Sequence, residues 1–401
     1  MNIAYIVQYY PPHTGGLEKV AQKQAQSAAN AGHEVSVVTF ALPNAPAGTR
    51  REGDVVVHRV RGNHFFDTRF GIPFCLGGVT MVRTVMRVVR DADMVHLHDV
   101  FYMTSLVGYL SARWYKKPLM LTQHVALVAH SSRLVLWVER AVYALWGRAI
   151  FRASVAIVTY QKIVRDFLLA QGVPSGRIIE MHNGVELDRF HPVSDEEKRE
   201  RRRQLGLPVG KPLALFVGRM VSKKGYRELF SARDPAHYDL VFVGPGKVPA
   251  EWHHIDGVHV LGSRTQEEVM YLMPAMDVCV VPSVGEMFTL SMQEAMACGL
   301  AVVTTDMPEY AEYDLDPKGI VRCARTAHAL QTELRRVTAD VPLVKYMGTY
   351  ARSVAEALFD WEKNVQKILA RYTTLHTPSV TCDAVRDTRE HAKILWKNAH
   401  S

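Results

Sequence analysis

The chain has 401 residues, 48% hydrophobic and 22% charged, which excludes a disordered or fibrous protein and leaves room for two domains with substantial cores. Its five cysteines (Cys75, Cys279, Cys298, Cys323, Cys382) are scattered and odd in number, so a reduced cytosolic compartment is expected rather than a disulfide framework. The net charge of +8 sits in one half: residues 1–192 hold 21 Lys and Arg against 13 Asp and Glu, and the remainder holds 27 of each. A basic first half calls for an anionic partner, either an acidic membrane face or a diphosphate-linked substrate; without a binding motif, nucleic acid is not expected.

Asn2 to Val7 reads as a strand without a basic, apolar leader, so no signal peptide is expected. Nor is a membrane span, because Glu139, Arg140 and Arg148 interrupt the most apolar stretch, Leu134 to Phe151. The loop Gln8 to Gly16, the helix Leu17 to Ala31 and the strand Glu34 to Phe40 make a Rossmann-like start that lacks G-x-G-x-x-G. Gly15 and Gly16 precede the helix, where a phosphate approaches bare backbone closely; a plain turn is the other reading.

Strand and helix alternate through Val55 to Val60, Thr80 to Val89 and Met94 to His98. Asp91-Ala92-Asp93 precedes its strand and reads as a turn, not as a metal-binding D-x-D. His96 and His98 share one strand face, and without an evident third ligand they read as cleft lining. Strand Pro118 to Thr122 delivers Gln123 and His124 to its carboxyl end. The segment His130 to Arg152 mixes arginines with Leu, Trp and Tyr, and two readings stay open: a helix lying on an anionic bilayer, or one packed on the sheet. Strand Val155 to Thr159, a helix to Gln171 and strand Arg177 to Met181 finish the first domain, and Ser194 to Leu207 reads as a solvated helix.

In the second half, strand Leu213 to Val217 stops at Gly218-Arg219, and Lys224-Gly225 leads into a helix. Two cations at a strand end suit a diphosphate, with Lys223 as an adjacent alternative to Lys224. Strand Asp239 to Val243 ends in Gly244-Pro245-Gly246, a lone G-x-G that does not indicate NAD. Strand Val258 to Gly262 and a helix Gln266 to Met273 lead to the most informative stretch. There Val278 to Val281 reads as a buried strand and Leu290 to Cys298 as a helix closed by Gly299. The loop between them puts Glu286 at the strand's carboxyl end and Glu294 in the first turns of the helix, so both carboxylates face one crevice. Amides of Met287, Phe288, Thr289 and Leu290 suit phosphate oxygens, and the acceptor-only carboxylates suit hydroxyls. Sugar nucleotides have both features. The alternative is that Ser291 to Glu294 is a capping box and Glu294 only satisfies helix amides. Beyond strand Ala301 to Thr304, Glu309 and Glu312 fall on a short helix.

Four segments carry a family resemblance over about residues 1–373: P-P-x-x-G-G-x-E from Pro11, N-G-V-E-L-D-R-F-H-P from Asn183, G-R-x4-K-G from Gly218 and E-x7-E from Glu286. In this order and spacing they resemble the retaining glycosyltransferases of family 4. The resemblance implies the GT-B fold: two Rossmann-like α/β/α domains with a cleft between them and a C-terminal helix crossing back. It divides the chain into an acceptor domain at 1–185 with a crossing helix at about 358–373, a nucleotide-sugar domain at 186–357 and a tail at 374–401. It assigns Glu286 to donor-sugar hydroxyls, Glu294 to the ribose, Arg219 and Lys224 to the donor phosphates, Gly15 and Gly16 to the diphosphate and acceptor, and His124 to the donor sugar. The implied activity is metal-independent, cofactor-free transfer from a nucleotide sugar to a hydroxyl of a glycan acceptor. That acceptor is expected to be lipid-diphosphate-linked, at the cytoplasmic membrane face, in envelope or extracellular polysaccharide synthesis. Where the family commonly has glycines this chain has Met287-Phe288-Thr289, side chains expected to narrow the sugar pocket. A sugar-nucleotide epimerase of the same fold and a non-catalytic nucleotide- or glycan-binding protein remain as alternatives.

Overall fold

The computed structural model describes residues 1–13, 16–65, 74–126, 140–284, 288–308, 310, 313 and 315–376. The chain forms two compact units, one comprising Met1–His182 and the residues from Lys363 on, the other Asn183–Glu362.

The sheet of the first unit contains β1 (Asn2–Ile6), β2 (Glu34–Phe40), β3 (Gly48–Glu52), β4 (Val55–Val60), β7 (Met94–His98), β8 (Leu119–Gln123), β9 (Ser154–Thr159) and β10 (Ile178–Glu180); a separate pair, β5 (Gly62–Asn63) and β6 (Leu76–Gly77), lies between. The strand order is β10-β9-β8-β7-β1-β2-β4-β3, parallel except at the β3 edge. Strands β7 and β8 are buried at every position, as a parallel sheet covered on both faces requires. Gly16–Asn30, Val79–Asp91, Met103–Trp114 and Lys162–Ala170 are among its helices. The chain winds one way from β1 to β2 and the other way to β7, so the order reverses between β1 and β7. In open parallel sheets, ligands bind at the carboxyl ends of strands beside such a reversal.

The helix Trp361–His376 joins this unit through buried Val365, Ile368, Leu369 and Tyr372. Asn364 Nδ2 donates to the His182 carbonyl at 3.3 Å and Arg371 Nη2 to that of Gly176 at 3.3 Å. Of the segment His130 to Arg152, the part from Arg140 on packs one face against the sheet, residues 127–139 lying outside the described ones. Tyr143, Ile150 and Phe151 enter the core, and Trp146 Nε1 donates to the Val100 carbonyl at 2.8 Å.

The second unit holds a six-stranded, wholly parallel sheet of β11 (Leu213–Val217), β12 (Asp239–Val243), β13 (Val258–Gly262), β14 (Val278–Val281), β15 (Ala301–Thr305) and β16 (Ile320–Cys323). Its order, β13-β12-β11-β14-β15-β16, reverses between β11 and β14. The N-G-V segment helps close this unit. Val185 pairs with the chain at Asp360, donating to the Phe359 carbonyl at 2.8 Å and accepting from Trp361 N at 3.2 Å.

One expectation needs correcting. Ser194 caps the helix Asp195–Gln204, accepting from Glu197 N at 3.2 Å, but the helix is not wholly solvated. Arg202 is buried, bound to Asp277 Oδ2 at 2.6 Å and to the carbonyls of Ala275, Val209 and Lys211. A charge run hid a cation each of whose three guanidinium nitrogens is met by backbone or by one carboxylate.

Candidate functional site

In the second unit the reversal sets the loop after β11 beside the loop after β14, and glycine makes their contact possible. Gly225 is buried with φ +73°, and a Cβ there would stand 2.1 Å from the Pro282 carbonyl oxygen. Val284 N donates to the Lys223 carbonyl at 3.2 Å across the same seam. From β12, Gly244 (φ +137°) makes the corresponding approach to the Gly218 carbonyl, where a Cβ would stand at 2.1 Å, and Met220 N donates to Pro245 O at 2.9 Å. The glycines of G-R-x4-K-G and of the lone G-x-G thus interlock three strand-end loops. On this platform Arg219 is exposed and has no carboxylate partner among the described residues, while the Lys224 stem passes over Gly218.

The helix Leu290–Ala297 begins beside this platform. Its cap is Thr289, which accepts from Met292 N at 3.3 Å, not Ser291, so the capping box proposed for Ser291 to Glu294 is not formed. Amides of its first residues have no intrahelical acceptor and face an anion favourably. Glu294 lies on the second turn, buried, and burial, with the Glu294 carboxylate adding to it, pushes the Cys279 thiol up to about 12.

Of the three side chains expected to narrow the pocket, Phe288 does not line it. Its backbone turns through φ +42° and its ring enters the core, 4.9 Å from the rings of Tyr313 and Phe359 and 5.3 Å from that of Tyr310. Gln293 Nε2 holds the Phe288 carbonyl at 2.7 Å. Gly285, Glu286 and Met287 lie outside the described residues, as do Gly15, Glu309 and Glu312. Two polar residues not singled out from sequence also sit at strand ends here. Ser283 Oγ and Thr305 Oγ1 are buried with no protein partner among the described residues. Their signal was position alone, a hydroxyl ending an apolar strand at the carboxyl edge.

In the first unit the loop after β1 is held from below by Arg59. This buried side chain pairs with Glu52 and donates to the Pro11 carbonyl at 2.6 Å. Gly16 opens the following helix, exposed, and a Cβ there would meet nothing within 4 Å. His124 follows β8 as expected. Its Nε2 lies 3.2 Å from His98 Nδ1, and its ring stacks on those of His98 and Tyr160. Burial pushes the His124 imidazole down to about 3, so it is neutral at pH 7.

The reading of His96 and His98 as cleft lining is corrected: both are fully buried. His96 is bonded through Nδ1 to Tyr372 and through Nε2 to Thr122 Oγ1 at 2.8 Å, under the C-terminal helix. Burial lowers His96 to about 3 and takes His98 well below the usual imidazole range. Asp99, at the end of β7 with φ +61°, is buried and accepts from Gln123 Nε2 through Oδ1; Oδ2 has no partner among the described residues. Burial pushes its carboxyl up to about 8. Asp93 of the D-x-D segment accepts from Asn2 N at 2.7 Å, as a turn residue closing on β1. No helix among the described residues is long and apolar enough to cross a membrane.

Two family models match the chain in tandem, "Glycosyltransferase Family 4" over residues 14–189 and "Glycosyl transferases group 1" over residues 197–354. A GDP-mannose-dependent alpha-mannosyltransferase of Mycobacterium tuberculosis is 28% identical over 317 residues, 76% of this chain and 79% of that one. A D-inositol 3-phosphate glycosyltransferase of Corynebacterium jeikeium is 26% identical over 308 residues, 71% and 72% of the two chains. The structure of Anabaena HepE in complex with UDP matches with a TM-score of 0.70 at 17% identity, covering 93% of this chain and 100% of that one.

Proposed function

We propose that this chain, a glycosyltransferase of the GT-B fold and of the group 1 and family 4 kind, moves a sugar from a nucleotide donor to a hydroxyl of a glycan acceptor with retention of anomeric configuration. The observation that carries this reading is the interlocked platform at the β11/β14 reversal, with Arg219 and Lys224 on one loop and the amino end of Leu290–Ala297 on its neighbour. Cations and helix amides so placed stabilise negative charge as it grows on a departing diphosphate; one preorganised donor of this kind contributes about 10²- to 10³-fold in rate. Amides of Met287, Phe288, Thr289 and Leu290 take phosphate oxygens, Glu286 the sugar hydroxyls and Glu294 the ribose. Gly15, Gly16 and His124 serve from the first unit.

In this reading the leaving phosphate accepts the proton of the acceptor hydroxyl on the face it vacates, so the anomeric configuration is kept and no side-chain base is needed. The cations take the place of a metal, and EDTA leaves activity unchanged. Activity abolished by EDTA and restored only by a divalent metal would remove the phosphate site from this reading. The excess of positive charge in the first half supports an anionic, lipid-diphosphate-linked acceptor at a cytoplasmic membrane face, in envelope or extracellular polysaccharide synthesis. Flotation with acidic but not neutral liposomes is the expected result.

The deciding measurement is thermal stability with UDP, GDP, ADP and their sugar conjugates. A ligand at about 100 times its dissociation constant adds about 2.7 kcal/mol, so one nucleotide series raises the melting temperature and the others do not. Glu286→Ala then retains this stabilisation by the bare nucleotide and loses most transfer. Undiminished transfer removes Glu286 from the site.

A further inference from the structure

A chain of six side chains crosses the first unit under its sheet's carboxyl edge. Tyr5 and Tyr372 hydroxyls lie 2.6 Å apart, Tyr372 meets His96 Nδ1 at 2.5 Å, and His96 Nε2 meets Thr122 Oγ1 at 2.8 Å. Thr122 Oγ1 donates to Gln24 Oε1 at 3.3 Å, and Gln24 Nε2 donates to the Tyr160 hydroxyl at 2.6 Å. All but Tyr160 are fully buried.

The amide of Gln24 sets the direction of every other bond. Thr122 has one proton and gives it to Gln24, so it must accept from His96 Nε2–H. The neutral imidazole then has a bare Nδ1, which accepts from the Tyr372 hydroxyl, and Tyr372 in turn accepts from Tyr5. Five hydrogen bonds therefore run one way, from the C-terminal helix and β1 outward, and such chains polarise each successive member. They end on the Tyr160 oxygen, which follows β9, is half-buried and stacks 5.9 Å from the His124 ring. Because that oxygen accepts from Gln24, its own proton points onward, and no acceptor for it occurs among the described residues.

We infer that Tyr160 contacts substrate, donating its hydroxyl proton to an oxygen of the glycan acceptor beside His124, and that Tyr372 is a positioning residue acting through this relay. The inference rests on the proposed transfer reaction and deepens its acceptor side. A donor with no charge, fixed in direction, selects a neutral sugar oxygen by geometry, whereas a cation would favour any nearby anion.

Two measurements on the full-length protein test this. Histidine ¹⁵N NMR reads the tautomer of His96 with no substrate present. The Nε2–H form is expected, and Tyr372→Phe should shift the Nδ1 resonance by removing its donor. The Nδ1–H form would reverse all five bonds, turn the Tyr160 proton inward and overturn the proposal.

The second measurement uses whichever of UDP-glucose or GDP-mannose stabilises the protein, with methyl α-glucoside and D-inositol 3-phosphate as acceptors. Tyr160→Phe is expected to lower kcat/KM for the acceptor about tenfold while KM for the donor stays unchanged. Tyr372→Phe should show a smaller loss of the same kind. Unchanged acceptor kinetics in Tyr160→Phe, with Tyr372→Phe merely less stable, would reduce the relay to a structural clasp. No transfer by the unmodified protein would defeat the proposed reaction instead, and the His96 tautomer would still decide the direction of the relay.

Discussion

The two units solve one topological problem with opposite chemistry. Each has an open parallel sheet whose order reverses once, at β1/β7 in the first and at β11/β14 in the second. At the second reversal, backbone packs on backbone through Gly225 and Gly244, and charge is left at the surface on Arg219. At the first reversal, His96, His98, His124 and Asp99 are all held in their neutral forms by burial. The corresponding crevice of each unit thus differs: charge and amides in the second, uncharged hydrogen-bonding groups in the first. In the transfer proposed above, the second edge would stabilise a diphosphate and the first would orient a hydroxyl.

The strongest way to break the comparison is to discharge the second edge. Arg219→Ala and Lys224→Ala should each lower kcat about 10²- to 10³-fold. For exposed Arg219 the melting temperature should scarcely move, since an exposed side chain away from a packing feature changes stability by about 0.5 kcal/mol or less. A loss matched by unfolding, or an effect on KM alone, would mean that these cations bind ground state and platform rather than the developing charge.

Glycines sharpen the contrast at smaller cost. Gly225→Ala puts a Cβ on the Pro282 carbonyl at a left-handed φ, so a destabilisation of at least about 1–3 kcal/mol is expected, with loss of nucleotide binding. Gly16→Ala meets no neighbour and should leave stability within about 1 kcal/mol. If it lowers transfer all the same, Gly16 is glycine for a ligand, whereas Gly225 is glycine for the fold. Equal stability losses at the two positions would erase that distinction.

Much of this was legible in the sequence because strands in doubly covered parallel sheets are unbroken apolar runs. Met94–His98, Leu213–Val217, Asp239–Val243 and Val278–Val281 were bounded correctly for that reason. The segments following strands showed Arg219, Lys224 and His124 near carboxyl edges and Glu294 on the helix after β14. What stayed hidden depended on contacts distant in sequence. Arg202 looked solvated because its acceptors come from Val209, Lys211, Ala275 and Asp277. His96 looked like cleft lining because its cover, Tyr372, is 276 residues away. Phe288 looked like a pocket wall because a positive φ at a non-glycine residue has no signature in a local pattern.

The smallest expected effect isolates the neutral edge by pH. Folding raises the Asp99 carboxyl from 3.8 to about 8, so between those values the folded state holds a proton that the unfolded state has released. The stability it contributes is complete below about pH 4 and is lost as pH rises through 8. The histidines act in the other direction. Lowered from 6.5 to about 3 at His96 and His124, they contribute stability that is complete above 6.5 and is lost as pH falls towards 3. The two windows overlap between about pH 4 and 6.5, where more than one histidine outweighs a single carboxyl and stability rises with pH. From 6.5 to 8 only Asp99 still titrates among these groups, and stability should fall by about 2 kcal/mol. Asp99→Asn keeps an oxygen for Gln123 Nε2 but cannot ionise, so its urea midpoint should stay level from pH 6.5 to 8 while the acid limb remains. An identical alkaline loss in Asp99→Asn and the unmodified protein would place the titrating group elsewhere and leave Asp99 ionised at neutral pH. The first edge would then carry charge as the second does, and the contrast between them would rest on the histidines alone.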